Sequence, residues 1–260
     1  MKKNIFLSIT LALCIGFTAC DKTEITQAEE DTKSAALHNS QVQGVADDGF
    51  AQMLIAIASD DQPSGIKSNN NTVIISGPNF PKTITVTFDG TPDILGIVRT
   101  GSITGVLTNH FYLPNAQLTV DYNNYVVNGV QFKGEQTITN KNTILSLTSI
   151  TFDVVVDGAS VIVNNAYGKW TWSGNRKWEW TPTEVKITGT TFGRNEAGIS
   201  YITKTTTPLI QKANCPLVSS GVVEITAGIY IATVDFGDGT CDDKAMFTFN
   251  GKKSEFTFFY

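Results

Sequence analysis

The chain has 260 residues and a formal net charge of −5, and 17% of its residues are charged. Those charges are scattered without a basic stripe, so a nucleic-acid partner has no electrostatic footprint here. More than 200 residues follow Gly44, long enough for one large core.

The first segment reads as an address. Lys2 and Lys3 form a positive start, and Ile5 to Phe17 is uncharged and mostly apolar. That run is too short to span a bilayer, which needs about 20 helical residues. Thr18 and Ala19 then precede Cys20. The pattern resembles the lipobox of bacterial lipoproteins, with Phe17 where the usual motif has Leu. It implies a signal peptide over 1–19, cleavage before Cys20 and a multi-chain lipid on that thiol, which holds a membrane where a single chain is marginal. The alternative is an ordinary secretory signal cut after Ala19.

Asp21 to about Gly44 is acidic and poor in aromatics. That composition predicts a flexible acidic tether over 20–44. Acidic residues just after the lipid Cys also resemble the export signals of Bacteroidota surface lipoproteins. In enteric bacteria Asp at that position instead suggests inner-membrane retention. A short helix and loop are expected over 45–71. Asp47 or Asp48 is placed to cap the helix, with Phe50, Met53, Leu54 and Ile57 on one face.

From Thr72 onward, short runs of Thr, Val, Ile, Phe and Tyr are broken by Gly and Asn. Thr83–Phe88, Gln117–Tyr122 and Lys244–Phe249 alternate with period two, the mark of strands with one wet face. Asn128-Gly129, Asp157-Gly158 and Asn250-Gly251 suit type I′ hairpin turns. The fold class predicted for 72–260 is all-β, an antiparallel β-sandwich or two packed β-sheet halves built from hairpins. Thr85–Thr91 and Thr233–Thr240 share a Phe-Asp/Gly-Thr pattern that hints at two related halves.

Cys14 leaves with the signal and Cys20 takes lipid, so Cys215 and Cys241 remain as an even pair in an oxidising compartment. A disulfide between them is expected, the alternative being two free thiols. His38 falls in the tether and His110 stands alone, which leaves no Cys/His metal set.

All four tryptophans fall in Lys169–Trp180. With Ser173-Gly174-Asn175 as a turn, Trp170 and Trp172 would face Trp178 and Trp180 across a hairpin. Buried, they close one end of the sheet. Exposed, they form with Arg176 a stacking platform for glycan rings. Asp235, Asp238 and Asp242 crowd a glycine-rich turn. Such a cluster can hold Ca²⁺, although the spacing is not an EF-hand, and a solvated turn is the simpler reading. No other cofactor is indicated, and no catalytic motif is present.

The segments Trp170–Trp180, Ile187-Thr188-Gly189, Pro208-Leu209, Cys215 and Val234–Asp242 resemble a set of uncharacterised, flavobacterial-type envelope lipoproteins of Bacteroidota. The likeness covers most of the mature chain, although Thr91-Pro92-Asp93 lacks a Cys that members often carry. It implies compartment and lineage, with no activity attached. The expectation is thus a non-enzymatic protein, lipid-anchored in the outer membrane and surface-exposed, with a structural or adhesive role. Its partners would be the membrane and envelope proteins or glycans. The alternative is a glycan-binding module built on the tryptophans, and a weaker third reading is a hydrolase with dispersed acids.

Overall fold

The computed structural model describes residues 17–58, 66–67, 71–94, 96–143, 148–163, 170–195, 197–215 and 217–257. Among the described residues one helix, α1 (Phe17–Ala58), precedes fourteen strands. These are β1 (Ile66–Lys67), β2 (Asn71–Ile75), β3 (Lys82–Asp89), β4 (Arg99–Leu107), β5 (Gln117–Val127), β6 (Val130–Asn140) and β7 (Ile150–Val163). They continue as β8 (Trp170–Trp180), β9 (Glu184–Arg194), β10 (Ser200–Lys212), β11 (Val218–Ala227), β12 (Tyr230–Asp238), β13 (Lys244–Phe249) and β14 (Lys252–Thr257). Every strand pairs antiparallel with its sequence neighbour, giving one 14-stranded sheet in order β1 to β14.

The all-β expectation holds, but the second layer is not another sheet. The helix supplies it. α1 touches β3 to β6 and also β9 to β12. Laid flat, β3 and β12 would stand about 43 Å apart, at roughly 4.8 Å per strand. A helix is only about 10–12 Å across. The sheet therefore has to curl around α1 and bury its concave face on it.

Alternation in the strands sets that face. β3 buries Lys82, Ile84, Val86 and Phe88, and turns Thr83, Thr87 and Asp89 outward. The predicted runs in β5 and β13 behave the same way. Asn128-Gly129 and Asn250-Gly251 make the β5–β6 and β13–β14 turns with positive φ at both residues. Asp157-Gly158 does not make a turn. It lies inside the 14-residue strand β7, where a register shift between Val156 and Ala159 absorbs the Gly158 φ of 62°. Both neighbouring strands pair past this point, so the chain bulges there and continues. The shared Phe-Asp/Gly-Thr patterns end β3 and β12, nine strands apart. An odd step reverses strand direction in a meander, so the two turns share local chemistry and lie at opposite ends of the sheet.

Residues 20–44 are helical, which overturns the tether reading. Ala28, Thr32, Ala35, Asn39, Val42, Ala46, Phe50 and Met53 recur at steps of three or four and are all buried. That is a helix face, but one made of small and polar residues, so composition masked it. The flanking acids Glu24 and Glu30 are exposed. Asp47 and Asp48 consequently lie deep inside the helix and cap nothing. The expected Phe50, Met53, Leu54 and Ile57 face does meet the core.

Small residues let helix and sheet approach closely. A Cβ placed on Gly49 would come within 2.4 Å of Cε1 of Tyr122. That ring is buried and held by Gln136 Oε1 at 2.5 Å and the Ala46 carbonyl at 3.2 Å. The edges are guarded: β1 has two residues, and β14 carries Lys252 and Lys253, charges that discourage a further strand. Lys252 reaches Glu29 at 3.8 Å, and Lys33 Nζ donates to Ser254 Oγ at 3.4 Å, tying β14 to the helix.

Gly49→Ala tests this packing. In a free helix the change stabilises by about 1 kcal/mol. Here it should destabilise, by about 1–3 kcal/mol of overpacking, read from a denaturant midpoint. A rise in the midpoint would contradict the close approach.

Candidate functional site

The tryptophans do not form a hairpin. β8 runs unbroken through Ser173-Gly174-Asn175: all three pair with β9 on one side, and Gly174 and Asn175 also pair with β7 on the other. A turn is impossible in a strand hydrogen-bonded on both edges. Gly174 serves another end, since a Cβ there would lie 2.9 Å from the Trp172 ring. Its hydrogen leaves room for that indole to fold down over the strand.

Period two puts the even residues of β8 on the concave face. Trp172 and Trp178 are buried, and Trp180 is half-buried. Thr171, Lys177 and Glu179 are exposed, with Lys177 and Glu179 paired at 2.7 Å. The Trp170 side chain and Lys169 lie outside the described residues. The described indoles thus face the helix, and no outward stacking platform forms from them.

Arg176 sits between two of these indoles. Its guanidinium carbon is 5.3 Å from the Trp172 ring and 5.5 Å from the Trp178 ring. Both terminal nitrogens meet Asp47 of the helix, at 2.9 and 2.6 Å. The arginine offered as a glycan contact is therefore a latch between strand and helix. Burial pushes the Asp47 carboxyl up, while Arg176 pulls it down.

A second latch lies beside it. Arg99 at the start of β4 meets Asp48 through Nε at 2.8 Å and Nη2 at 2.6 Å, and Asp93 through Nη1 at 2.7 Å. Tyr125 donates to the same Asp48 carboxylate. Burial acts to lower the Arg99 pKa, and Asp48 and Asp93 outweigh it, so the guanidinium stays charged. Asp93 also accepts from the Ile97 amide at 3.0 Å. The three carboxylates gathered here are thus each engaged by an arginine, a structural use of acids that would otherwise suit hydrolysis.

Further along α1, Asn39 Oδ1 accepts from Trp172 Nε1 at 3.1 Å and Thr191 Oγ1 at 2.6 Å. His38, assigned by composition to a solvated tether, is buried with Nδ1 2.6 Å from the Tyr201 hydroxyl. Burial lowers its pKa from 6.5 to about 3 and raises that of Tyr201, so a neutral phenol meets a neutral imidazole. His110 is exposed and packs edge-to-face on Phe80 at 4.7 Å.

The aspartate cluster of the β12–β13 turn does not converge. Asp235 accepts from the Gly237 amide, Asp238 from Thr240, and Asp242 from the Lys244 amide, each at 2.8–3.1 Å. Each carboxylate closes its own Asx turn. Among the described residues no group of three His, Cys, Asp or Glu is placed to hold a metal ion. Cys215 and Cys241 do form the expected disulfide, with Cα atoms 5.7 Å apart.

One cavity of about 360 Å³ opens between the two limbs of the sheet beside α1. Phe50 and Leu54 of the helix, Phe152, Trp178, Leu217 and Phe236 give its apolar wall. Asp47, Asp48, Asp93 and Arg99 lie at its polar side. A second hollow of about 420 Å³, lined by Thr181, Glu184, Lys212 and Asn214, shares Trp180, Val185 and Gln211 with the first. Sequence reasoning missed this site because its walls come from the helix and both limbs; the Trp178/Trp180 pair was its single visible sign.

Two measurements check the buried polar contacts. His38 binds its proton more weakly folded than unfolded, so the stability it supports is complete above about pH 6.5 and lost as pH falls toward 3. The loss should approach about 1.4 kcal/mol per pH unit in that window, and His38→Gln should flatten the profile of melting temperature against pH. Asp48→Asn, which leaves the buried Arg99 with Asp93 as its one carboxylate partner, should cost about 1–3 kcal/mol in a denaturant titration, above the ~1 kcal/mol ceiling of an exposed pair.

Comparison of the chain with protein-family models, with curated proteins and with solved structures finds no match to any of them.

Proposed function

We propose that this is a non-enzymatic, lipid-anchored protein of the outer membrane, exposed at the cell surface, that presents a rigid β domain in a structural or adhesive role. The observation that carries the reading is the continuity of α1. The helix bearing Cys20 in its first turns runs without a break into the core and ends at Ala58. A lipid on Cys20 would then be joined to the domain by a stiff rod, at about 1.5 Å per residue, instead of a floppy linker. No described helix is long and apolar enough to cross a membrane.

The convex face suits presentation. It is rich in exposed threonines, and it holds the cross-strand pair Phe192 and Ile202, with Ile231 two strands further on, all substantially exposed. Apolar side chains gathered on an outer face are the usual material of a contact surface. The acids of the cavity support the absence of catalysis only by being engaged with Arg99 and Arg176.

Cys20→Ser should release the protein from the membrane fraction and abolish lipid labelling, while the circular dichroism spectrum and melting temperature stay unchanged. Protease added to intact cells should digest the wild-type protein. Retention of the variant through a carbonate wash would refute the anchor, and full protection in intact cells would refute surface exposure.

A further inference from the structure

We infer that the paired hollows beside α1 bind one uncharged amphiphile: an apolar body inside, and a polar end at the mouth. This goes beyond the anchoring proposal and does not depend on it.

The inner cavity is built for an apolar body. Phe50 stands 5.0 Å from Trp178 and 6.2 Å from Phe152, ring centre to ring centre, in edge-to-face contacts that leave flat faces in place. Leu217 and Phe236 close the other limb. Its volume of about 360 Å³ falls in the range of small-molecule sites.

The charge pattern selects an uncharged guest. Asp47 is matched by Arg176, and Asp48 and Asp93 by Arg99, at 2.6–2.9 Å. A charged group in the inner cavity would meet no unmatched charge there and would lose its hydration.

The outer hollow sets the orientation. It continues from the inner one past the half-buried Trp180, and its walls turn polar at Thr181, Glu184, Lys212 and Asn214. A molecule that fits both is apolar at its inner end and polar at its outer end. A saccharide, polar around its whole rim, would leave most of its hydroxyls unpaired against Phe50, Phe152 and Phe236.

The test uses the Cys20→Ser chain, which keeps the whole helix and dispenses with detergent. The probe is prodan, an uncharged naphthalene ketone whose emission reports polarity and hydrogen bonding at its carbonyl. Saturable one-to-one binding with quenching of tryptophan emission is expected. Val185→Trp fills the junction of the two hollows and should abolish binding with an unchanged circular dichroism spectrum. Displacement of prodan by monolaurin would assign an acyl ester as the natural chemistry, and its failure an aromatic or alicyclic ketone. The inference is overturned if the folded chain shows no saturable binding, if folded Val185→Trp binds as well as the parent, or if maltotriose displaces the probe.

Discussion

Two buried ion pairs hold this molecule's helix to its sheet, and the rest of the architecture depends on where they sit. Asp47 and Asp48 are adjacent in α1, so their side chains diverge by about 100° around the axis. Asp47 meets Arg176 on β8, and Asp48 meets Arg99 on β4. Those strands are four positions apart in the meander. Both contacts can form only if the sheet has curled far enough to face the helix from two directions. A buried carboxylate without its partner is expensive, so the two pairs also fix helix rotation and depth. A slip of one residue would strand charges on both sides.

The sequence of the helix reflects this role. A helix lying on an open sheet needs a stripe of large apolar residues. One enclosed by a curled sheet needs small residues, because the space at the centre of the curl is limited. Ala35, Ala36, Val42, Val45 and Ala46 meet the sheet with little bulk, and large sheet residues such as Tyr122, Phe132 and Trp172 fill the remaining volume. Specificity is then supplied by hydrogen bonds: His38 with Tyr201, Asn39 with Trp172 and Thr191, and Asp48 with Tyr125. A polar seam of this kind is worth little net stability, since each group gives up water, but it makes a wrong register costly.

The same geometry creates the cavity. In the C-terminal third of α1 the small residues give way to Phe50, Met53 and Leu54, and the limbs carrying Ile97 and Phe236 stay apart to admit them. The space left over is lined by aromatic faces and by charges already paired. Apolar lining and matched charge together make a site for an uncharged guest, while the convex face remains threonine-rich and wet. A rod at the centre and a sheet around it give the molecule two chemically distinct faces without a moving part.

What the sequence determined alone was local. Alternation in Thr83–Phe88 and Lys244–Phe249, and the Asn-Gly turns at 128–129 and 250–251, are set by backbone sterics and the pleat, which act between near neighbours. The disulfide was legible in Cys215 and Cys241 as the even cysteine pair of the folded region. What only the tertiary structure decided was everything that needed a partner distant in the chain. Residues 20–44 read as a solvated linker because the buried face there is small and polar, and such a face becomes stable only when a sheet supplies Tyr201, Trp172 and Thr191 to meet it. Ser173-Gly174-Asn175 looked like a turn because Gly permits one, whereas hydrogen bonds from β7 and β9 on both edges, and the Trp172 ring above Gly174, hold it extended. The count of fourteen strands in one sheet, instead of two packed layers, was likewise a matter of what covers the concave face. A strand's pattern shows that one side is buried, and it carries no information on whether a sheet or a helix buries it.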